Sequence, residues 1–180
     1  MTPPDERLRQ RLQPVPVAWP AGAARRAAVL APIVAQPGGD AVLFVVRAAS
    51  LRLHPGQIGF PGGSDAGDTD PATCALRETH EEIGVSSDRV VLLGALAQRT
   101  SSSAFEVQCL VGRLLDAQLL LQHGEVERAL LVPLAELAVA TRWQHLARPP
   151  LPPSPHFDWH GDVIWGLTGR FAWDLVQLLA

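Results

Sequence analysis

One helix is marked at both ends in the sequence, in the segment DPATCALRETHEEIG of residues 70 to 84. Asp70 is a good N-cap and Pro71 suits the first helical position, while Gly84 stands where a left-handed residue commonly ends a helix. The pattern therefore predicts a helix over residues 71 to 83 with one face in the core. Steps of four, three and four define that buried stripe, which is formed by Ala72, Leu76, Thr79 and Ile83.

Three glutamates, Glu78, Glu81 and Glu82, crowd the same helix at i, i+3 and i+4. At roughly 100° per residue they fall on the side away from the stripe, where like charges destabilise a helix. Arg77 can pair with Glu81 or orient a neighbouring carboxylate. A solvated acidic face is one interpretation. A site for a hard divalent cation such as Mg²⁺ or Mn²⁺ is the other, because the donors are oxygens and no His/Cys set has zinc spacing.

Apolar and alternating segments on both sides of this helix predict a sheet. Two β-rich runs flank the turn QPGGD and predict a hairpin. A glycine- and aspartate-rich loop leads into the helix, and a stiff proline segment near the C-terminus is typical of a surface loop. The predicted elements in chain order are strands at 27–35, 41–47, 90–98 and 105–115, a strand with a helical turn at 131–137, the proline loop at 148–155, two short strands within 156–165 and a helix at 167–180.

The composition fits one globular domain. The 180 residues are 47% hydrophobic and 18% charged, and the net charge of −3 gives no reason to expect a nucleic-acid partner. Two cysteines, Cys74 and Cys109, are too few for a disulfide framework and fit a reducing compartment. No signal-peptide-like run begins the chain, and no stretch approaches the roughly 20 apolar residues that span a bilayer. We therefore expect a cytoplasmic protein with no membrane partner.

The stretch GGSDAGDTDPATCALRETHEEIGV resembles the Nudix box, G-x(5)-E-x(7)-R-E-U-x-E-E-x-G-U, in which U is apolar. From Gly63 the spacing to Arg77 is that of the box. Two positions depart from it, because Thr69 replaces the first glutamate, with Asp68 beside it, and Thr79 takes an apolar position. The positions that match are Gly63, Arg77, Glu78, Glu81, Glu82, Gly84 and Val85.

This resemblance implies an α/β fold, a Nudix-type α/β/α sandwich with a mixed β-sheet, over residues 27–180 after a lead-in of residues 1–26. It implies a hydrolase of nucleoside diphosphate derivatives that uses Mg²⁺ or Mn²⁺, since such ions neutralise phosphate oxygens and activate water. Glu78 and Glu82 are then the candidate metal ligands, and Glu81 is a further ligand or a general base. Arg77 and the loop residue Glu125 complete the candidate catalytic set.

The stretch LFVVRAASLRLHPGQIGFPGG, residues 43 to 63, resembles the signature of the coenzyme A branch of that family, L-L-T-x-T-[SA]-x(3)-R-x(3)-G-x(3)-F-P-G-G. It implies hydrolysis of coenzyme A to 3′,5′-ADP and 4′-phosphopantetheine. Guanidinium groups suit phosphates, and glycines let backbone approach a ligand. The candidate substrate-binding residues are Arg47, Arg52, Gly56, Gly62 and Gly63.

Two alternatives stay open at this point. A hydrolase of ADP-ribose or of dinucleotide diphosphates would use the same metal chemistry, and the upstream signature argues against it. A non-catalytic Nudix-fold module that binds a nucleotide would not need the full set of glutamates. In each case we expect a small-molecule nucleotide as the partner, bound by a monomer or a homodimer.

Overall fold

A computed structural model describes residues 3–22, 24–116, 118–149 and 151–179. Its helices are α1 (Pro3–Arg11), α2 (Pro71–Ile83), α3 (Leu134–Leu137) and α4 (Gly166–Gln177). Its strands are β1 (Arg26–Gln36), β2 (Gly39–Arg47), β3 (Ile58–Gly59), β4 (Gly62–Ser64), β5 (Val90–Ala95), β6 (Arg99–Thr100), β7 (Glu106–Leu114), β8 (Val126–Pro133), β9 (Trp143–Arg148), β10 (Leu151–Trp159) and β11 (Asp162–Ile164).

The main sheet is mixed and has β1 at its centre. β1 pairs parallel with β7 and antiparallel with β2, which confirms the predicted hairpin. The short strand β4 also pairs with β1, from Val29↔Gly62 to Ala27↔Ser64. The sheet therefore holds Gly62 and Gly63 beside the start of β1. A second sheet of three strands has the order β11-β10-β9.

Helices cover both faces of the main sheet, and alternate residues of β1 point to each side. Ala28, Leu30 and Val34 belong to the core cluster that contains the buried face of α2. Ala31 and Ile33 belong to the other cluster, which contains residues of α1, α4 and the second sheet. The predicted α/β/α sandwich is confirmed.

The caps predicted for α2 are confirmed, and its buried stripe is partly wrong. Asp70 accepts a hydrogen bond from the backbone N–H of Thr73, and Gly84 ends the helix with φ +72°. Thr79 and Ile83 are buried, but Ala72 and Leu76 are only half-buried. Cys74 and Ala75 take their places, and Glu82 is buried with them instead of facing solvent. The face of α2 that contacts β1 and β4 is therefore rotated about the helix axis relative to the predicted face.

The proline segment at 148–155 is not the predicted surface loop, because most of it lies in β10, which pairs with β9. A register shift between Leu151 and Ser154 leaves Pro152 and Pro153 in a bulge. Prolines lack the N–H that a ladder needs, and bulges are where a sheet tolerates them. The pairing of β10 with β11 begins only at Phe157, beyond the prolines.

The N-terminal segment is more than a lead-in, because α1 packs on the sheet. Leu8 is buried in the core, and the guanidinium of Arg113 on β7 lies between the carboxylates of Asp5 and Asp40. The domain boundary at residue 27 stays a prediction.

The closing helix is confirmed as α4, with Phe171 and Leu175 buried and Leu178 half-buried. Ala180, the last residue of the predicted helix, lies outside the described residues. Among the described residues, no helix is long and apolar enough to cross a membrane.

Candidate active site

Glu82 is a buried carboxylate beside Gly62 of β4. It is 3% exposed, accepts a hydrogen bond from the backbone N–H of Gly62 at 3.1 Å, and lies 3.9 Å from a guanidinium nitrogen of Arg47. Burial raises its pKa to about 7, and the nearby charge of Glu78 acts in the same direction. The hydrogen bond from Gly62 and the charge of Arg47 oppose this rise. The hydrogen bond from Gly62 and the charge of Arg47 therefore do not fully offset the cost of burying the charge of Glu82.

Glu78 lies one helical turn earlier and faces the backbone of Gly63. A Cβ built on Gly63 would lie 2.5 Å from Oε2 of Glu78, so only glycine leaves this carboxylate its place. Burial raises the pKa of Glu78, while a hydrogen bond from Arg77 lowers it. Glu82 thus lies at Gly62, and Glu78 lies at Gly63.

Arg77 joins the carboxylates of the loop to those of the helix. It donates from Nε and Nη2 to the two oxygens of Asp68, at 3.1 and 3.0 Å, and from Nη1 to Glu78 at 2.8 Å and Glu81 at 3.1 Å. The predicted pairing of Arg77 with Glu81 is therefore present. These contacts lower the pKa of Asp68 and hold Glu78 in one orientation. Glu81 is the most exposed of the three helix glutamates, with 56% of its side chain accessible.

The position where the box departs from its pattern has a local structural use. The hydroxyl of Thr69 donates to Asp70, the N-cap of α2, at 3.0 Å. Asp68, one residue earlier, is fully engaged with Arg77. The carboxylate beside the missing glutamate therefore holds the arginine, and it does not point freely toward the other glutamates.

Glu125 belongs to the same acidic group despite its distance in sequence. It is exposed in the loop before β8, and its backbone carbonyl accepts a hydrogen bond from the N–H of Ala48 at 2.8 Å. Its charge contributes to the raised pKa of both Glu78 and Glu82. The structure therefore brings Glu125 close to the helix glutamates, next to the end of β2.

The two arginines of the upstream motif lie in different places. Arg47, at the end of β2, is beside Glu82, and its Nε is buried without a hydrogen-bond partner among the described residues. Arg52 is exposed in the following loop. Gly56 turns this loop with φ +67° and donates its N–H to the carbonyl of Arg47. Arg47 therefore lies in the acidic centre formed by Glu78, Glu82 and Glu125, and Arg52 does not.

The donor set fits a hard divalent cation. Glu78 and Glu82 crowd negative charge in a partly desolvated place, which a cation would relieve. Within the described ranges, however, no three Asp, Glu, His or Cys side chains already converge on one point. Arg77 holds Oε1 of Glu78, and Oε2 of the same carboxylate lies beside Gly63.

A large cavity lies next to β4. Its volume is about 1080 Å³, and Gly63 and Ser64 form part of its wall. The loop between β2 and β3 contributes His54 and Gln57, while residues 101–103 and the first turn of α4 close other sides. Neither Arg47 nor Arg52 is among the described residues that line it.

Sequence patterns did not single out three arginines of this cavity, Arg25, Arg99 and Arg170. They stand in no shared motif and come from the start of the sheet, its middle and the last helix. Their only common signal is positive charge, which a sequence of this composition offers at many positions.

Comparison with known proteins agrees with this fold. The NUDIX domain model matches residues 24–152. The protein named "Uncharacterized Nudix hydrolase NudL" of Photorhabdus laumondii is 37% identical over 159 residues, which cover 85% of this chain and 84% of that protein. Its namesake in Yersinia enterocolitica is 36% identical over 175 residues, or 93% and 88% of the two chains.

Solved structures of lower identity share the fold. The Nudix hydrolase RenU of M. smegmatis superposes with a TM-score of 0.53 at 20% identity, over 63% of this chain and 73% of its own. An Ap4A hydrolase of C. elegans superposes with a TM-score of 0.53 at 20% identity, over 61% and 81%. The domain match and the two NudL relatives show that the chain belongs to the Nudix family and is a hydrolase that acts on phosphorus-containing anhydrides.

Proposed function

We propose that this hydrolase cleaves the diphosphate bond of coenzyme A or its derivatives, with Mg²⁺ or Mn²⁺, and releases 3′,5′-ADP and 4′-phosphopantetheine. One observation carries the proposal. Gly63, where the coenzyme A-type signature ends and the Nudix box begins, lies against the carboxylate of Glu78 and also lines a large cavity. A diphosphate beside Gly63 would lie between metal ligands and a space for the rest of the molecule.

In this proposal Glu78 and Glu82 hold the cation, and Glu81 is a further ligand or the base. When bound, the ion would neutralise the diphosphate oxygens and lower the pKa of a bound water. Glu125 is the second candidate base, because it is exposed to water and lies close to both Glu78 and Glu82. A general base must come within hydrogen-bond reach of the proton that it accepts.

Arg77 positions these carboxylates and does not need to touch the substrate. It holds Glu78 and Glu81 through one nitrogen and Asp68 through two others. Arg47 is different, since its Nε has no partner among the described residues and lies in the same centre. Arginine forms strong charge-assisted hydrogen bonds with phosphate, so we assign Arg47 to the diphosphate.

The glycines of the loop have separate uses. Gly62 cannot carry a side chain, because a Cβ there would lie 2.5 Å from the carbonyl oxygen of Ala28. Gly63 leaves room for Glu78, and Gly56 turns the loop that carries Arg52. We keep Arg52 and Gly56 as predicted substrate contacts at the open edge of the site.

A substrate panel with product identification tests the function. Purified protein with Mg²⁺ and with Mn²⁺ is given coenzyme A, acyl-coenzyme A, NADH, ADP-ribose and diadenosine polyphosphates, and the products are separated by chromatography. We expect the highest kcat/KM for coenzyme A or its acyl derivatives, with 3′,5′-ADP as a product. Glu82→Gln, prepared in parallel, controls for contaminating hydrolases. Preferred cleavage of ADP-ribose or of a dinucleotide would overturn the substrate assignment, and binding without turnover would show a non-catalytic module.

A further inference from the structure

Two arginines of the cavity have no carboxylate partner in the part of the chain that the structure describes. Arg25 donates one hydrogen bond, to the carbonyl of Ser103 at 2.8 Å, and its guanidinium lies 4.1 Å from the ring centroid of Phe105. Arg170 donates one hydrogen bond, to the carbonyl of Pro153 at 2.8 Å. Neither forms an ion pair with any described residue. A guanidinium has five N–H donors, so each arginine keeps its charge and unused donors.

Two carboxylates that contact lining residues of this cavity already accept hydrogen bonds from them. Asp174 accepts two hydrogen bonds from Arg99, at 2.9 and 2.6 Å. Glu106 accepts hydrogen bonds from Gln98 at 2.6 Å and Thr100 at 2.9 Å. Of the described residues that line the cavity itself, none is an aspartate or a glutamate. The cavity is therefore cationic, although one of its lining residues, Gly63, lies against the carboxylate of Glu78.

The remaining walls suit an organic anion. Leu53, Phe105 and Leu167 supply apolar surface, and the hydroxyls of residues 101–103 lie in the same cavity. The first turn of α4 also lines it, and the positive end of a helix dipole adds to the field of the arginines. Ligand sites commonly combine apolar walls with a few charged groups in cavities of roughly 300–1,000 Å³.

We infer that Arg25 and Arg170 bind a phosphomonoester of the substrate, a group separate from the diphosphate that is cleaved. This inference rests on the proposed function and names the chemical class that the site selects, a nucleoside diphosphate derivative with an additional phosphate. Coenzyme A, with its 3′-phosphate, belongs to that class. The upstream motif suggests Arg52 as a phosphate contact, but Arg52 does not line the cavity, whereas Arg25 and Arg170 do.

Kinetics with and without the additional phosphate test the inference. Arg25→Met, Arg170→Met and the double variant are compared with the parent on coenzyme A and on dephospho-coenzyme A. A charge-assisted contact of about 1.5–3 kcal/mol corresponds to about a 10- to 150-fold change. We expect each single variant to lose about 10-fold or more in kcat/KM for coenzyme A, mainly through KM. With dephospho-coenzyme A the variants should stay within about 3-fold of the parent.

Two further arginine variants serve as matched controls. Arg89 pairs with Asp116 outside the cavity, so Arg89→Met should leave both substrates unchanged. Arg52→Met tests the competing position in the same assay. An equal loss on both substrates in the double variant, or a selective loss in Arg52→Met alone, would overturn the inference.

Binding without turnover separates this inference from the proposed function. Calorimetry measures the affinity for 3′,5′-ADP and for 5′-AMP. We expect the parent to prefer 3′,5′-ADP by about 10-fold or more, and the double variant to lose that preference. A protein that shows this arginine-dependent preference but does not cleave coenzyme A would refute only the proposed function. Cleavage of coenzyme A with an unchanged preference in the double variant would refute only the inference.

The folding of each variant is checked by its Tm before these comparisons. Arg25 holds the loop at Ser103, and Arg170 holds Pro153, so a methionine at either position could loosen the fold. If Arg25→Met does not fold, Arg170→Met decides alone. Arg170→Gln, which keeps a donor for the carbonyl of Pro153, replaces Arg170→Met if that variant is unfolded.

Discussion

The carboxylate of Glu78 lies so close to Gly63 that a Cβ on this glycine would meet Oε2 at 2.5 Å and Oε1 at 2.6 Å. Gly63 does not have a left-handed backbone, so its lack of a side chain matters for space and not for conformation. The missing side chain of Gly63 thus leaves the space that the carboxylate of Glu78 occupies.

Gly63→Ala should therefore abolish most activity without unfolding the protein. The atoms in the way are the end of a flexible side chain, which can move, so we expect a stability loss of no more than about 1 kcal/mol. The moved carboxylate should lower kcat/KM by about 100-fold or more, because small displacements of a reacting group have large effects. Activity assays and urea unfolding measure the two quantities.

Variants of two other glycines are compared with Gly63→Ala. Gly38→Ala is the matched control, since its Cβ would meet nothing within 4 Å, and it should behave like the parent. Gly62→Ala should unfold the protein, because its Cβ would collide with the backbone of Ala28 and Val29. Full activity in Gly63→Ala would show that Glu78 is not required where it lies.

Divalent ions should be required for turnover and should stabilise the protein through Glu78 and Glu82. We expect no hydrolysis in excess EDTA, with recovery on addition of Mg²⁺ or Mn²⁺. Because an ion that binds only the folded state stabilises it, the Tm of the parent should rise with ion concentration. Glu78→Gln and Glu82→Gln should lose most activity and most of this rise.

Glu127→Gln is the control for that experiment, since Glu127 is an exposed glutamate close in sequence to Glu125. It should keep both activity and the ion-dependent rise in Tm. An unchanged rise in both Glu78→Gln and Glu82→Gln would place the ion elsewhere.

Glu82 should make stability depend on pH when no ion is bound. Burial raises its pKa from 4.5 to about 7, so the folded protein binds this proton more tightly than the unfolded chain. The resulting stability is present at low pH and is lost as the pH rises toward 7 and beyond. With EDTA present, the parent should lose about 2–3 kcal/mol more than Glu82→Gln between about pH 5 and pH 8.

Urea unfolding of the parent and Glu82→Gln at the two pH values measures this difference, and the shared effects of other groups cancel. Addition of Mg²⁺ or Mn²⁺ at the higher pH should restore the stability of the parent. The same pH dependence in both proteins would contradict a raised pKa at Glu82.

Asp5→Ala should destabilise the fold and leave the chemistry intact. Asp5 is 3% exposed, and its carboxylate accepts hydrogen bonds from Nε and Nη2 of Arg113. Asp40 still binds Arg113 in the variant, so we expect a loss of about 1–3 kcal/mol in the free energy of unfolding. The kcat/KM should stay near that of the parent. Asp88→Ala, at an exposed carboxylate that accepts from Ser86, should change neither quantity. If the Asp5→Ala protein is as stable as the parent, the contact of α1 with Arg113 does not contribute to the stability of the fold.

The sequence alone determined the features that depend on near neighbours along the chain. α2 begins and ends where predicted because an N-cap aspartate, a first-turn proline and a left-handed glycine act within a few residues. The pairing of Arg77 with Glu81 follows from helical spacing in the same way. The first hairpin is equally local, since its turn lies between the two strands that it joins.

Tertiary structure decided everything that depends on what packs against these elements. Glu82 is buried because β4 pairs with β1 above α2, a contact between distant parts of the chain. The proline segment became a strand because β9 offered it a partner and a bulge accommodated its missing N–H groups. Arg25 and Arg170 line one cavity only because the tertiary fold brings the start of the central strand and the last helix to its walls. Burial and long-range pairing are properties of the assembled core, and local spacing carries no record of them.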